Sequence, residues 1–238
     1  MISPNPRRAS PINWAHIISP FFAGFLLLMM WNSGSSPIDP ETAKQLTPIH
    51  IFIFFLPHLL MLLTILVCAW SEARENDQSL TQVLEIGCIE NASLLKGTGV
   101  GLILFLTTLG SFSLMEPLYQ TMQIPDEQQS LLILFKNSNL LNQCLFVLMG
   151  VVLVPVSEEL VFRLVFYRAL NTVLSPALAM LFSSLAFSIA HNMITTIVPF
   201  TIFALIQHYA FIKTGRLLIP ITAHMTYNSL VFTLALNL

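Results

Sequence analysis

The chain has 238 residues, 55% of them hydrophobic and only 9% charged, with a net charge of −2. Soluble domains carry roughly 25% charged residues, so a mean hydropathy of +0.76 excludes an ordinary soluble fold. The 10 Lys and Arg against 12 Asp and Glu leave no basic surface for nucleic acid, and the medium this composition suits is a lipid bilayer.

A helix needs about 20 mostly apolar residues to cross roughly 30 Å of hydrocarbon. In chain order the segments that qualify are 12–31, with Trp14 and Trp31 near its ends, then 49–70 and 97–115. A fourth starts at Leu140, stays apolar through Val156 and continues as an amphipathic helix to Leu170. The Ser175-Pro176 break opens a fifth that runs to Val198, followed by 199–212 and 217–236. The runs are continuous and do not alternate as barrel strands would, so helices are the expected class. The expectation is an all-α integral membrane protein, about seven transmembrane helices in one bundle and a single membrane domain. Arg7 and Arg8 before the first run also suit a signal peptide; its length, its two Trp and the lack of an A-x-A site favour a retained anchor.

Positive residues set the orientation. With seven spans, one side collects Arg7, Arg8, Arg74, Lys96, Arg163, Arg168, Lys213 and Arg216, and the other only Lys44 and Lys136. The N-terminus is therefore expected in the cytoplasm. The loop at 71–96 holds Glu72, Glu75, Asp77, Glu85 and Glu90, with Leu80, Val83, Leu84, Leu94 and Leu95 at helical spacing. It reads as an interfacial helix on the cytoplasmic leaflet. Gly97, Gly99 and Gly101 head the third span with no Walker lysine after them, which suits close helix packing.

Ionisable groups inside a span cost roughly 2.5–3.5 kcal/mol each and mark function by default. Here they gather near the C-terminal end of the sequence, as Glu158, Glu159, Arg163, His191 and His224. Glu159 and Arg163 are four residues apart and share a helix face, whereas Glu158 points about 100° away. Phe187 with His191, and His224 with Asn228, repeat the four-residue spacing on two further helices. Glu158 and His191 lie symmetrically about the Ser175-Pro176 turn, so an antiparallel hairpin closed there sets them level. The hairpin tip, with Arg168, Asn171 and Thr172, is polar enough to sit in the cytoplasm.

Glu158-Glu159-Leu160-Val161-Phe162-Arg163, Phe187-Ser188-Ile189-Ala190-His191 and His224-Met225-Thr226-Tyr227-Asn228 follow one another in that order. In these motifs the chain resembles the CPBP family, also called Abi, which comprises type II CAAX prenyl endopeptidases and their bacterial relatives. The family pattern is E-E-x-x-x-R, F-x-x-x-H, then H-x-x-x-N or D. The resemblance covers Leu140 to the C-terminus. It implies an intramembrane endopeptidase cutting near the cytoplasmic face, with 139–238 as the catalytic core and 1–138 as N-terminal helices. By that resemblance Glu158 and His191 hold and deprotonate the attacking water, His224 and Asn228 stabilise the oxyanion, and Glu159 with Arg163 supports the geometry. The best understood relatives favour a glutamate mechanism without a cofactor. Glu158, His191 and His224 also make a chemically sound zinc set with one open position, although no H-E-x-x-H helix is present. The implied partners are the bilayer and a peptide or protein substrate, prenylated or not. The two motif histidines are only 33 residues apart, which implies a smaller cavity than in the eukaryotic enzymes, and no further C-terminal span is expected after Asn228.

Plainer readings stand beside these. Glu159 and Arg163 also suit a purely structural ion pair. His50, His58 and His208 lie outside any motif and read as packing or interfacial residues. The 18 Phe and 10 Met read as lipid-facing and core material. Cys68, Cys88 and Cys144 form no CxxC or Cys/His cluster, so neither disulfides nor a structural zinc is indicated. A catalytically silent membrane scaffold or immunity protein that binds a partner peptide is the alternative function, and a proton-coupled transporter ranks below it. Small size and lean loops suit a bacterial inner (plasma) membrane.

Overall fold

Proline, serine and glycine punctuate the chain into helices where the sequence predicts breaks. The computed structural model describes residues 44–124 and 130–237. Helix α1 spans Pro48–Glu75, with proline in its first turn, where a missing N–H costs nothing. A one-turn helix α2, Leu80–Val83, is held by a capping box in which Ser79 N donates to Gln82 Oε1 at 2.8 Å. Then come α3 (Asn91–Thr121), α4 (Ser130–Asn137) and the continuous helix α5 (Leu140–Asn171). Pro176 opens α6 (Pro176–Ala190), capped by Ser175 Oγ. Helix α7 (Ile197–Thr214) follows a 3-10 turn at Ile194–Thr196 and ends on Gly215 at φ 63°, a left-handed position glycine fills without strain. Helix α8 is Leu218–Asn237.

Among the described residues there is no strand. The segments Pro48–Glu75, Asn91–Thr121, Leu140–Asn171 and Ile194–Thr214 are long and apolar enough to cross a membrane. The expected total of seven adds to these the segment 12–31, which lies outside the described residues together with Arg7 and Arg8, and the helices α6 and α8. Helix α6 has 15 residues, about 22 Å at 1.5 Å per residue, and is shorter than the hydrocarbon core. Helix α8 carries Thr222, His224, Thr226, Asn228 and Ser229 along its length.

Two sequence-based expectations are corrected. The fifth segment ends at Ala190 and not near Val198, because Asn192 adopts φ 52° and breaks the helix; asparagine is one of the few residues that enters this region readily. Ser188 Oγ then staples the turn by donating to Ile197 O at 2.7 Å. The loop after α1 holds only the one-turn α2 and no longer interfacial helix, since Leu94 and Leu95 already belong to α3. Val83 and Leu84 turn inward and are buried against α1.

This loop is fastened to two other chain turns. Leu217 N donates to Glu85 O at 2.7 Å and Arg216 Nη1 to Ser93 Oγ at 3.0 Å. Arg168 at the end of α5 pairs with Glu85. The end of α5, the α7–α8 turn and the α1–α3 loop therefore sit together at one end of the bundle.

Helices α3 and α8 form the most extensive helix pair. A Cβ on Gly101 would stand 2.6 Å from both Ala223 O and Thr226 Cβ, and one on Gly97 would stand 2.6 Å from Thr222 Cβ. These glycines let the backbones approach as expected, but Gly99 faces open space.

Candidate active site

The unusual local feature is in α5. Two π-helical stretches, Met149–Leu153 and Leu160–Phe166, flank the α-helical turn that carries Ser157, Glu158 and Glu159. Pro155 has no N–H to donate. Gly150 lies one turn earlier, in the first π stretch, and Asn228 Nδ2 donates to its carbonyl oxygen at 2.7 Å. Gly150 also lets Phe232 lie close, since a Cβ there would stand 2.7 Å from the ring.

Ser157, Glu158, Glu159 and Arg163 are all buried, and buried charges in apolar surroundings must be paired. Glu159 meets three side chains. Its Oε1 accepts from His224 Nδ1 at 2.9 Å and from Gln207 Nε2 at 3.3 Å. Its Oε2 lies 3.0 Å from Arg163 Nε, an ion pair whose angle falls short of a hydrogen bond. The Arg163 guanidinium rests on the Phe187 ring, 4.9 Å from its centroid, an attraction that strengthens out of water. The Glu159–Arg163 pair thus ties α5 to α6, α7 and α8.

Acceptor-only partners fix the histidine tautomers. Glu159 takes a hydrogen from His224 Nδ1, so the other ring nitrogen, Nε2, faces Glu158 Oε2 at 3.9 Å. That gap is too wide for a direct hydrogen bond. His191 Nδ1 donates to Phe187 O at 2.8 Å, which leaves its Nε2 bearing a lone pair. The Phe187 ring is a shared wall, with its centroid 4.8 Å from the ring of His191 and 6.2 Å from that of His224. Phe203 covers the His224 ring from α7 at 4.9 Å.

The predicted residues therefore fall as follows. Glu158, Glu159, Arg163 and His224 form one buried cluster, and His191 adjoins it across Phe187. No ion pair joins Glu158 to His191 among the described residues; the ion-pair partner of Glu158 is His224. Asn228 shares a helix face with His224, and one amide hydrogen is used on Gly150. Among the described residues no three His, Cys, Asp or Glu side chains are grouped as a metal ion needs. The candidate zinc set Glu158, His191 and His224 does not converge in that way.

Two residues outside the motifs join the site. Gln207 is the second hydrogen-bond donor to Glu159. His58 of α1, read from sequence as packing or interfacial, lies 2.9 Å through Nδ1 from the Oγ of Ser157, the residue before Glu158. Ser157 Oγ donates to Val154 O at 2.9 Å, so the His58 Nδ1–H donates to the serine. The available signal for both was a polar side chain inside an apolar helix. His208, next to Gln207, stays a packing residue: its Nδ1 donates to Ala204 O at 2.9 Å under the Tyr167 ring.

No curated protein and no solved structure matches the chain. Residues 140–230 match the family model described as type II CAAX prenyl endopeptidase Rce1-like. That stretch holds every motif residue of the cluster, from Glu158 on α5 to Asn228 on α8. Over residues 140–230, then, this chain is similar to the Rce1-like type II CAAX prenyl endopeptidases, the family that its three motifs resemble.

Proposed function

We propose that the protein is an intramembrane endopeptidase that uses a glutamate-activated water. The single observation that carries this reading is the His224 ring held between two glutamates, with Nδ1 2.9 Å from Glu159 and Nε2 3.9 Å from Glu158. A structural ion pair needs only Glu159 and Arg163; it gives no reason for a second buried carboxylate facing the far side of the same imidazole.

In the proposed reaction Glu158 and the lone pair of His191 Nε2 hold a water. Glu158 takes a proton from it as the oxygen attacks the scissile carbonyl carbon. The carbonyl electrons move onto oxygen, where His224 Nε2–H and the second amide hydrogen of Asn228 receive the charge. With Nδ1–H held by Glu159, a proton on Nε2 makes an imidazolium, and the Glu159 carboxylate balances it, as a buried carboxylate does for the histidine of a catalytic triad. Collapse of the intermediate breaks the C–N bond, and Glu158 returns its proton to the leaving amine. Donors aimed at developing charge gain strength where water is scarce, which favours a site walled by Phe187, Phe200 and Phe203.

The substrate class is a peptide or protein at the membrane, in line with the CAAX peptidase family of residues 140–230. The proposed topology keeps seven spans with the N-terminus in the cytoplasm, in a bacterial inner membrane. His224 is seven residues from Leu217, so it sits about 10 Å below the charged clasp of Arg168, Glu85 and Arg216. This supports cleavage in the cytoplasmic half of the bilayer.

The test uses full-length protein in liposomes and a quenched farnesylated peptide ending in a CAAX sequence. Glu158→Gln is expected to lower turnover at least about a hundredfold, the low end of a general base's contribution. Unaltered turnover would overturn the glutamate-activated water, and wild-type protein that binds the peptide without cutting it would favour a silent scaffold. Chelation is expected to leave turnover unchanged; a loss that zinc restores would make Glu158, His191 and His224 metal ligands.

A further inference from the structure

Gln207 lies in the middle of α7, fully buried, in a helix otherwise rich in apolar side chains. Its Nε2 is 3.3 Å from Glu159 Oε1 and 3.0 Å from Pro220 O. A carboxylate and a carbonyl only accept, so the amide must turn its NH2 toward both and give one hydrogen to each. The two acceptors share one feature. Glu159 Oε1 is the atom that takes the hydrogen of His224 Nδ1. Pro220 O is the carbonyl four residues before His224, the one an α-helix uses to hold the backbone N–H of that histidine. One side chain thus grips the His224 ring through Glu159 and the His224 backbone through the first turn of α8.

The opposite end of the amide argues against simple packing. Gln207 Oε1 is buried and makes no hydrogen bond among the described residues. An unpaired buried carbonyl is a cost that methionine, of similar length and shape, would not carry. The position keeps the amide although only its donor end is satisfied, so the donors are the property the site uses.

We infer that Gln207 is a positioning residue of the peptidase site, setting Glu159 so that His224 keeps its hydrogen on Nδ1 and aims Nε2 at Glu158. This rests on the peptidase reading above, in which His224 acts on the reacting carbonyl. Gln207 itself touches no reacting atom. Removing it is expected to slow the chemical step and leave substrate binding alone.

The experiment compares wild type, Gln207→Met, Gln207→Asn and Glu158→Gln, each full-length in liposomes with the farnesylated CAAX peptide. Gln207→Met is expected to lower kcat about tenfold, as the loss of a buried charge-assisted hydrogen bond would, with KM within about twofold of wild type. Gln207→Asn, which retains the amide on a shorter arm, is expected to recover part of that loss. If Gln207→Met has near-wild-type kcat, or if the change falls on KM, while Glu158→Gln is inactive, the positioning role is wrong and the peptidase reading stands. If Glu158→Gln is fully active, the glutamate-activated-water mechanism on which this role rests fails. Should Gln207→Met not fold, Gln207→Asn decides by the same split: a lower kcat at unchanged KM supports the role, and an unchanged kcat overturns it.

Discussion

Asn228 on α8 donates an amide hydrogen to the Gly150 carbonyl of α5, 2.7 Å away and 78 positions earlier in the chain. Gly150 lies in the π stretch just before the turn that carries Glu158. The asparagine proposed to face the oxyanion is therefore anchored on the same helix as the proposed base.

Removing the Asn228 amide takes a hydrogen bond from the buried Gly150 carbonyl, at about 0.5–1.5 kcal/mol. Asn228→Ala is accordingly expected to lower thermal stability in detergent. Asn228→Asp is expected to lower it further, because an ionised carboxylate would face a carbonyl oxygen, although the family pattern admits Asp at this place. A ranking of wild type, then Ala, then Asp in a melting series checks this, and an Asp variant as stable as wild type would contradict it.

The glycine face of α3 gives a second, paired prediction. Gly101 and Gly99 are two residues apart on one helix, yet an added Cβ meets Ala223 O at 2.6 Å at the first and open space at the second. Gly101→Ala should push α8 away and cost about 1–3 kcal/mol, as overpacking does. It should also reduce turnover, since α8 carries His224 and Asn228. Gly99→Ala should leave both measurements near wild type. Equal effects at the two positions would show that α8 does not seat on Gly101.

The part of this site that could be read from sequence is the part that costs most to bury. Glu158, Glu159, Arg163, His191 and His224 stand out because charge in an apolar run demands a reason, and i,i+4 spacing then sorts them by face. Gln207 and His58 are polar but cheap enough to pass as core packing, and only the partners Glu159 and Ser157 reveal their place. The π turns of α5 leave no periodic signature over five to seven residues. The α6 boundary depended on the positive φ of Asn192, which no hydrophobic pattern encodes. The helices were legible for the reason that the bilayer is a stringent solvent: long apolar runs between Pro, Gly and Ser breaks leave few other structures open. The loop after α1 was the least legible, since Val83 and Leu84 serve tertiary contacts and not an interfacial face.

The Glu159–Arg163 pair separates stability from chemistry. Both side chains are fully buried, and Arg163 has a carboxylate and an aromatic ring as partners. Arg163→Met takes the counter-ion from a buried carboxylate and is expected to destabilise by about 3–5 kcal/mol. Adding Glu159→Gln to it removes that uncompensated charge, so the double variant should regain much of that stability. It should not regain activity, because the glutamine no longer balances an imidazolium at His224. A double variant that recovers turnover along with stability would leave Glu159 a purely structural role.

The orientation can be read with a natural reporter. Cys88 is exposed in the loop that meets Arg216 and Arg168 at one end of the bundle, and Cys68 and Cys144 are the remaining cysteines of the chain. In a Cys68→Ser, Cys144→Ser background, a membrane-impermeant maleimide should label Cys88 in inside-out vesicles and not in sealed right-side-out vesicles. The positive charges at this end, Arg74, Lys96, Arg168, Lys213 and Arg216, are the physical ground for expecting it in the cytoplasm. Labelling of Cys88 from outside would invert the bundle. The His224 site would then open about 10 Å below the outer surface, beyond the reach of substrates presented on the cytoplasmic leaflet.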